Sequence, residues 1–510
     1  MLDNQKIQDE RKKLFVRSAA SVCFWGIITY FYAFLNFTLS HDSLNEIESP
    51  GKWKIMLGRF MSPVYHRFIR GEMAVPWLSG VLSLMFLSLV VYVLARMVKT
   101  QDTVVVFLAA GLLVTSPAVF TLAGTYISDM DANLFGILLS LLSVWAWRSG
   151  NRLLLLPGAL CISLSVGMYQ SYLSVSVVLI MALSILDLAD GRKPQGVFLR
   201  GVEAIVMIIA GMIAYVMMMR ATCWLTHLEL VQNSYNSITN IFSQETSSNL
   251  FTNLSGAYED FKKTLLYQKF GHISSLNIAQ CIVYGGAICA LAYRSVKNRI
   301  SVLSALMMAA LLGLLPVGVH LSMLANNGYA HDLMKCGMIS VSLLALFAVN
   351  PLRKGVKPVR WCALLVMGCM AFVSWQYVVD ANQLFFKKDM NRQASLSMMT
   401  RVTEDIEEYE GYVRGKTPVL FIGTLTNQLA AYRVIPTIAG YTGDHHFSQI
   451  SHDYIYPIYY QYIMQLPINL CSAERKAELL EDERVKQMPV YPQEGSVQMI
   501  EDTLVVRLGE

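Results

Sequence analysis

Apolar residues fall into long runs separated by short polar gaps, and that alternation predicts the architecture. The runs lie at about 14–39, 74–95, 103–123, 133–147, 153–168, 172–189, 201–219, 276–293, 301–319, 337–349 and 361–379. About 20 apolar residues in a helix cross roughly 30 Å of hydrocarbon. Backbone polar groups inside a bilayer must be satisfied within the segment, so each run is predicted to be a transmembrane helix. The stretch 153–189 is almost unbroken. As one helix it would be about 55 Å long, too long for a single span. Its middle reads Gly167-Met168-Tyr169-Gln170-Ser171-Tyr172, and a tight turn is predicted from Tyr169 to Tyr172. The expectation is an α-helical polytopic membrane protein of about 11 transmembrane helices over 1–379, with a small extracytoplasmic α/β domain over 380–510.

Charge orients the pattern. Basic clusters occupy alternate gaps: Arg96 and Lys99; Arg148 and Arg152; Arg192, Lys193 and Arg200; Arg294, Lys297 and Arg299; Arg353, Lys354, Lys357 and Arg360. With a cytoplasmic N-terminus, all of these face inward, as the positive-inside rule requires. Arg11, Lys12 and Lys13 precede the first run, and no small-residue cleavage site follows it, so it reads as an uncleaved signal anchor. Residues 1–379 carry 29 Lys+Arg against 18 Asp+Glu, whereas 380–510 carry 12 against 18. The reversal falls where the last apolar run ends and marks the domain boundary. Only Cys471 lies in the tail, so that domain holds no internal disulfide, and no cysteine spacing suggests zinc.

In the first outer loop, Trp53, Met56, Phe60, Val64 and Phe68 recur at three- or four-residue spacing, with Lys52, Lys54, Arg59, Arg67 and Arg70 between them. That predicts an amphipathic helix on the membrane surface, interrupted near Pro63. In the tail, Asp389–Tyr409 is predicted to be a helix, Pro418–Ile422 a buried strand and Ser472–Leu480 a capped helix. The runs 496–500 and 503–508 flank Glu501-Asp502 as a hairpin.

The spans are almost free of charge; only Arg17, Asp187 and Glu203 lie inside them, near their cytoplasmic ends. Ion-coupled transporters place ionisable groups at the midplane, so this pattern weighs against transport. The acidic groups gather in two outer gaps, Ser40-His41-Asp42-Ser43 and Ser128-Asp129-Met130-Asp131. A carboxylate such as Asp42 at the membrane surface can take a proton from an attacking acceptor hydroxyl; it can equally cap the loop. Asp129 and Asp131 can orient hydroxyls, assist as base or bind a cation, or can serve the N-terminus of the next helix. A lipid-phosphate leaving group needs cations at the interface, and Arg59, Arg67, Arg70 and Lys335 are candidates, with His320 and His331 near Lys335 in the chain. Tyr169, Gln170 and Tyr172 form a polar-aromatic set suited to a sugar or to the aromatic belt. Asp444-His445-His446 reads as a polar loop rather than a metal site. No metal site or cofactor is predicted. There is no Walker A loop, dinucleotide fingerprint, HExxH or GxSxG, and the cytoplasmic loops are too short to bind a nucleotide sugar.

Taken in order, these features resemble the GT-C glycosyltransferases, and more closely the bacterial type II serotype-converting (O-antigen) glucosyltransferases. The resemblance rests on Asp42, on Gly58-Arg59-Phe60 (where that family more often has Trp in the third position), and on Ser128-Asp129-Met130-Asp131. It rests further on Gly167-Met168-Tyr169-Gln170, on Met488-Pro489-Val490-Tyr491-Pro492, and on Gly495-Ser496-Val497 with Leu504-Val505-Val506. It implies glucosyl transfer from a polyprenyl-phosphate carrier to a lipid-linked glycan on the outer face of the bacterial inner membrane, with inversion. It also implies accompaniment by a small flippase and a donor synthase. Asp42 would be the base, Asp129 and Asp131 its supporting groups, and His41, Arg59, Tyr169, Gln170, Tyr172, His331 and Lys335 the substrate contacts. The competing classes are a lipid-linked-glycan flippase and a non-catalytic scaffold presenting the 380–510 domain.

Overall fold

The computed structural model describes residues 2–36, 39–48, 51–72, 74–231, 250–266, 274–325, 330–425, 438, 441, 450 and 452–509. Each predicted apolar run is helical. The helices are α1 (Leu2–Leu35), α2 (His41–Glu48), α3 (Lys52–Met56), α4 (Met61–Tyr65), α5 (Pro76–Met97), α6 (Thr103–Val114) and α7 (Pro117–Thr125). They continue with α8 (Met130–Arg148), α9 (Leu155–Met168), α10 (Leu173–Ala189), α11 (Pro194–Thr226) and α12 (Leu250–Leu266). The last of the helical region are α13 (Ser275–Lys297), α14 (Val302–Val319), α15 (Leu321–Ala325), α16 (Gly337–Val349) and α17 (Lys357–Glu407).

Among the described residues, eight helices are long and apolar enough to cross a membrane, or nine if α6 and α7 are taken as one span bent by 43°. The expected count of about 11 is therefore not reached at full length. The 103–123 run bends where Pro117 opens α7 after Thr115-Ser116. The two remaining runs form shorter helices, α9 of 14 residues and α16 of 13. The long 153–189 stretch does break: α9 ends at Met168, Tyr169 is extended, and a 3-10 turn over Gln170–Tyr172 leads into α10.

Chain contacts divide the protein into two compact units: one takes in 1–36, 50–123 and 128–382, the other 37–49, 124–127 and 383–510. In the first, α8 packs against α5 and α9, α9 against α11, and α10 against α14 and α16. Small residues let these helices approach. Gly136 faces the Tyr172 ring, and a side chain at Gly211 would meet the Ala159 carbonyl at 2.8 Å. Serines then bond across the gap, Ser140 to Ser165 at 2.7 Å and Ser143 to Ser176 at 3.1 Å. Such bonds contribute about 0.6 kcal/mol each, so they add direction to a bundle held mainly by packing.

Helix α8 also fixes two ends. At 1.5 Å per residue its 19 residues separate Asp129 from Arg148 by ~28 Å, the thickness of the hydrocarbon. Because α9 returns and α10 runs back, the 169–172 turn lies at the Asp129 end. Asp187, Arg192 and Arg200 lie at the Arg148 end. Arg294 of α13 joins that end, bonding Asp190 at 2.5 Å.

The second unit holds a four-stranded sheet in the order β2-β1-β4-β3, with β1 Pro418–Ile422, β2 Asn469–Leu470, β3 Val497–Ile500 and β4 Thr503–Arg507. β1 runs parallel to β2 and β4; β3 and β4 form the expected antiparallel hairpin. Leu420, Ile500 and Val505 pack with Leu479, Val485 and Met488 into its core. Ser472 caps the helix Ala473–Glu481 by accepting the Arg475 N–H at 3.2 Å. The helix expected over 389–409 is no separate element. It continues α17, which runs unbroken for 51 residues, with no proline after Pro358 to interrupt it.

Candidate functional site

The segment 51–72, between α1 and α5, carries the site. Its predicted amphipathic helix appears in pieces, α3 and α4 followed by a π-helical turn over His66–Arg70. Trp53, Val64, Phe68 and Ile69 are exposed, as an interfacial face requires. Its cations behave differently from expectation. Lys54, His66 and Arg70 turn inward rather than toward headgroups, because two buried carboxylates await them.

Asp129 lies 2.5 Å from Lys54 Nζ, 2.9 Å from His66 Nε2 and 3.4 Å from Arg70 Nη2. Asp131, with no exposed surface, accepts from Arg70 Nε at 2.9 Å, Tyr65 OH at 3.0 Å and Ser79 Oγ at 2.8 Å. Burial and the neighbouring Asp131 push the Tyr65 hydroxyl well above its usual pKa, so it remains a donor. Arg70 also donates to the Ser128 carbonyl. Asp129 occupies the cap position of α8, yet its side chain makes no capping bond. Both carboxylates instead clamp the loop to the bundle. An enclosed carboxylate whose two oxygens are bonded to cations and hydroxyls is an anchor and not a free base.

A second clamp joins two other motifs. Gln170 donates to the Leu57 carbonyl at 2.7 Å, and Tyr215 to the Gly58 carbonyl at 3.0 Å. Phe60 stacks on Tyr215, and a side chain at Gly167 would meet the Phe60 ring at 2.7 Å. Gly58-Arg59-Phe60 and Gly167-Met168-Tyr169-Gln170, more than a hundred residues apart, therefore form one contact. Gly58 has φ of +78°, and an added Cβ would lie 2.7 Å from the Tyr215 hydroxyl. Gly58→Ala is expected to destabilise by about 1–3 kcal/mol through backbone strain and overlap. Limited proteolysis of the first loop, scored against wild type, checks this; an unchanged cleavage rate would show that the loop is held elsewhere.

Arg59 sits in this contact with its guanidinium over the Tyr169 ring, 4.4 Å from the centroid. Its Nε has no hydrogen-bond partner, and it forms no ion pair among the described residues. Tyr172 is buried, donating to Asn133 Oδ1 at 2.7 Å, and Asn133 in turn donates to the Asp129 carbonyl. Tyr169, Gln170 and Tyr172 are thus engaged in holding Arg59 and α8. Asp42 lies in the first turn of α2, partly exposed, within the second unit. The side chain of His41, and all of 444–446, fall outside the described residues.

Lys335 belongs to a separate cluster. Asp260 of α12 is 2.7 Å from His320 Nε2 and 2.9 Å from Lys335 Nζ, and Asp332 is 3.3 Å from the same ammonium. Burial raises the Asp260 pKa, but the His320 hydrogen bond and the Lys335 charge outweigh it and hold the group at about 2. Burial also opposes the Lys335 charge, which Asp332 and Asp260 nonetheless hold above its usual pKa. Two carboxylates on one ammonium leave little charge to offer a phosphate. Lys335 and Asp332 also line a cavity of about 40 Å³, with Leu112, Ala118, Gln280, Tyr284 and Tyr377 among its other walls. His331 precedes the 3-10 turn Asp332–Met334, its carbonyl accepting from Met334.

Lys54, Tyr65, His66, Ser79, Asn133, Tyr215 and Asp260 were not singled out as functional in the sequence. His66 and Arg70 are four residues apart on one helical face, a signal that could have paired them. Ser79 inside an apolar run offers none.

Comparison with curated proteins and with solved structures returned no match. A family model described as Glucosyl transferase GtrII matches residues 31–375, a span that carries both clamps and Asp42. With well over half of its length matched, the chain belongs to the GtrII glucosyl transferase family.

Proposed function

We propose that this membrane glycosyltransferase moves glucose from a polyprenyl-phosphate carrier to a lipid-linked O-antigen or another cell-surface glycan. The reaction takes place on the extracytoplasmic face of the bacterial inner membrane, on a GT-C-like scaffold, with a flippase and a donor synthase as partners. The observation that carries this reading is Arg59. It is pre-oriented on Tyr169 and lacks a carboxylate partner among the described residues. It stands at the bundle end opposite the basic clusters. The positive-inside rule puts those clusters in the cytoplasm and Arg59 outside.

In the reaction, the acceptor oxygen attacks the anomeric carbon as the bond to the phosphate oxygen breaks. The electron pair leaves on the phosphate, and the configuration inverts. Asp42 takes the acceptor proton, and the Arg59 guanidinium stabilises the departing phosphate. Asp129 and Asp131 act by positioning: they hold the loop that presents Arg59. Arg59 is preferred over Lys335 for the phosphate because Asp260 and Asp332 already neutralise Lys335. The test is reconstitution of the full chain with labelled polyprenyl-phosphate glucose and a lipid-linked glycan. Label on the acceptor supports the proposal. Label carried across the bilayer without transfer overturns it in favour of a flippase.

A further inference from the structure

At the other end of the first unit, ~28 Å from the Asp129 cluster, the ends of α8, α10 and α11 enclose a cleft of about 460 Å³. Arg148, Arg192, Lys193 and Arg200 line it, against the single carboxylate of Asp187. Asp187 is shared: Arg148 bonds it twice, at 2.5 and 2.8 Å, and Arg192 once, at 3.1 Å. One negative charge between two guanidinium groups leaves a positive remainder.

Arg200 is held in place. Its guanidinium lies 5.2 Å from the Trp147 ring and donates to the Trp147 carbonyl, while Trp147 Nε1 donates to the Arg200 carbonyl at 2.8 Å. Its nearest acid, Glu203, is 3.5 Å away and is bonded more closely by Arg152, at 2.8 Å. Lys193 is exposed and has no carboxylate partner among the described residues. It stands at the start of α11, whose N-terminus has no side-chain cap, and an added Cβ at Gly196 would meet nothing within 4 Å. Four fixed or available cations, an open helix N-terminus and room between them suit a phosphate group.

The apolar surface beside the cleft indicates what bears that phosphate. Phe198, Val202, Ile205 and Ile209 follow the cleft residue Val197 at helical spacing and are all exposed along α11. A soluble anion gains nothing from such a stripe, whereas a lipid fills cleft and stripe together. We propose that this cleft binds the phosphate headgroup of an anionic membrane lipid, with its chains laid along α11. Basic pockets between helices at a membrane surface have the chemistry for this, each cation contributing about 1 kcal/mol. The site is distinct from the transfer site and holds whatever the fate of that reading.

The test uses the purified full chain in nanodiscs, with lipid retention measured by native mass spectrometry. One arm contains phosphatidylglycerol, a second a polyprenyl monophosphate, and the reference phosphatidylcholine. Wild type is expected to retain an anionic phosphate-bearing lipid at least tenfold over the zwitterion. Arg192→Gln with Lys193→Gln should reduce that preference about tenfold or more, and Lys354→Gln, which does not line the cleft, should leave it unchanged. Retention of phosphatidylglycerol identifies the bulk bilayer as the source; retention of the polyprenyl monophosphate alone identifies the carrier. Equal retention of charged and zwitterionic lipid, or a preference that survives the double substitution, overturns the proposal. Native-like melting of the double variant separates lost binding from lost fold.

Discussion

Asp42→Asn should lower glucosyl transfer by about 10²–10⁴-fold while leaving the melting temperature within a degree or two of wild type. The magnitude is that of removing a general base. Asparagine keeps the size and hydrogen-bonding reach of the carboxylate but cannot accept the acceptor proton. Asp42 lies in the first turn of α2, partly exposed, where asparagine suits the helix start as aspartate does. The contrast is with Asp129 and Asp131, buried and bonded on both oxygens, whose replacement would damage the loop before it touched chemistry. Single-turnover rates with polyprenyl-phosphate glucose check this. A variant as fast as wild type would place the base elsewhere.

Arg70→Ala should destabilise the first unit by about 3–5 kcal/mol, the cost of stripping one partner from a buried ion pair. The Arg70 side chain is 1% exposed and bonds Asp131, Asp129 and the Ser128 carbonyl at once. Without it, Asp131 keeps only neutral donors among the described residues, Tyr65 and Ser79, and it has no exposed surface. Asp129 still has Lys54 and His66, so the damage should centre on Asp131. The sharper reading comes from a cycle. Arg70→Ala combined with Asp131→Asn removes both charges and should recover much of the loss, giving a coupling above about 1 kcal/mol. Thermal denaturation in detergent measures all three variants. If Arg70→Ala melts with wild type, the cluster is peripheral to stability.

Much of the fold is legible because a bilayer leaves the backbone few options. The 153–189 stretch is too long for one span, and its polar middle marks the break between Met168 and Leu173. The tail strand at 418–422 and the hairpin around Glu501-Asp502 follow from alternation and turn chemistry. The bend at Pro117 was also written in the chain, but an unbroken apolar composition from 103 to 123 conceals it. The passage of α17 beyond its apolar part is hidden for another reason. A polar helix continuing an apolar one differs only in which solvent it meets, and hydropathy reads solvent, not backbone.

Within the candidate site, residue types and gaps could be read, but partners could not. The sequence by itself determined a helical membrane protein, the ends at which acidic and basic groups collect, and the family motifs. These depend on local composition and on spacing within one helix. Only the tertiary structure decided that Lys54 meets Asp129 across 75 residues and that Arg70 meets Asp131 across 61. It also decided that Gly58 docks on the turn at Gln170, leaving Arg59 available, and that Lys335 is already neutralised. The physical reason is that a cation's role depends on which charge faces it at 3 Å. Pairs of such separation carry no period along the chain; packing alone brings them together.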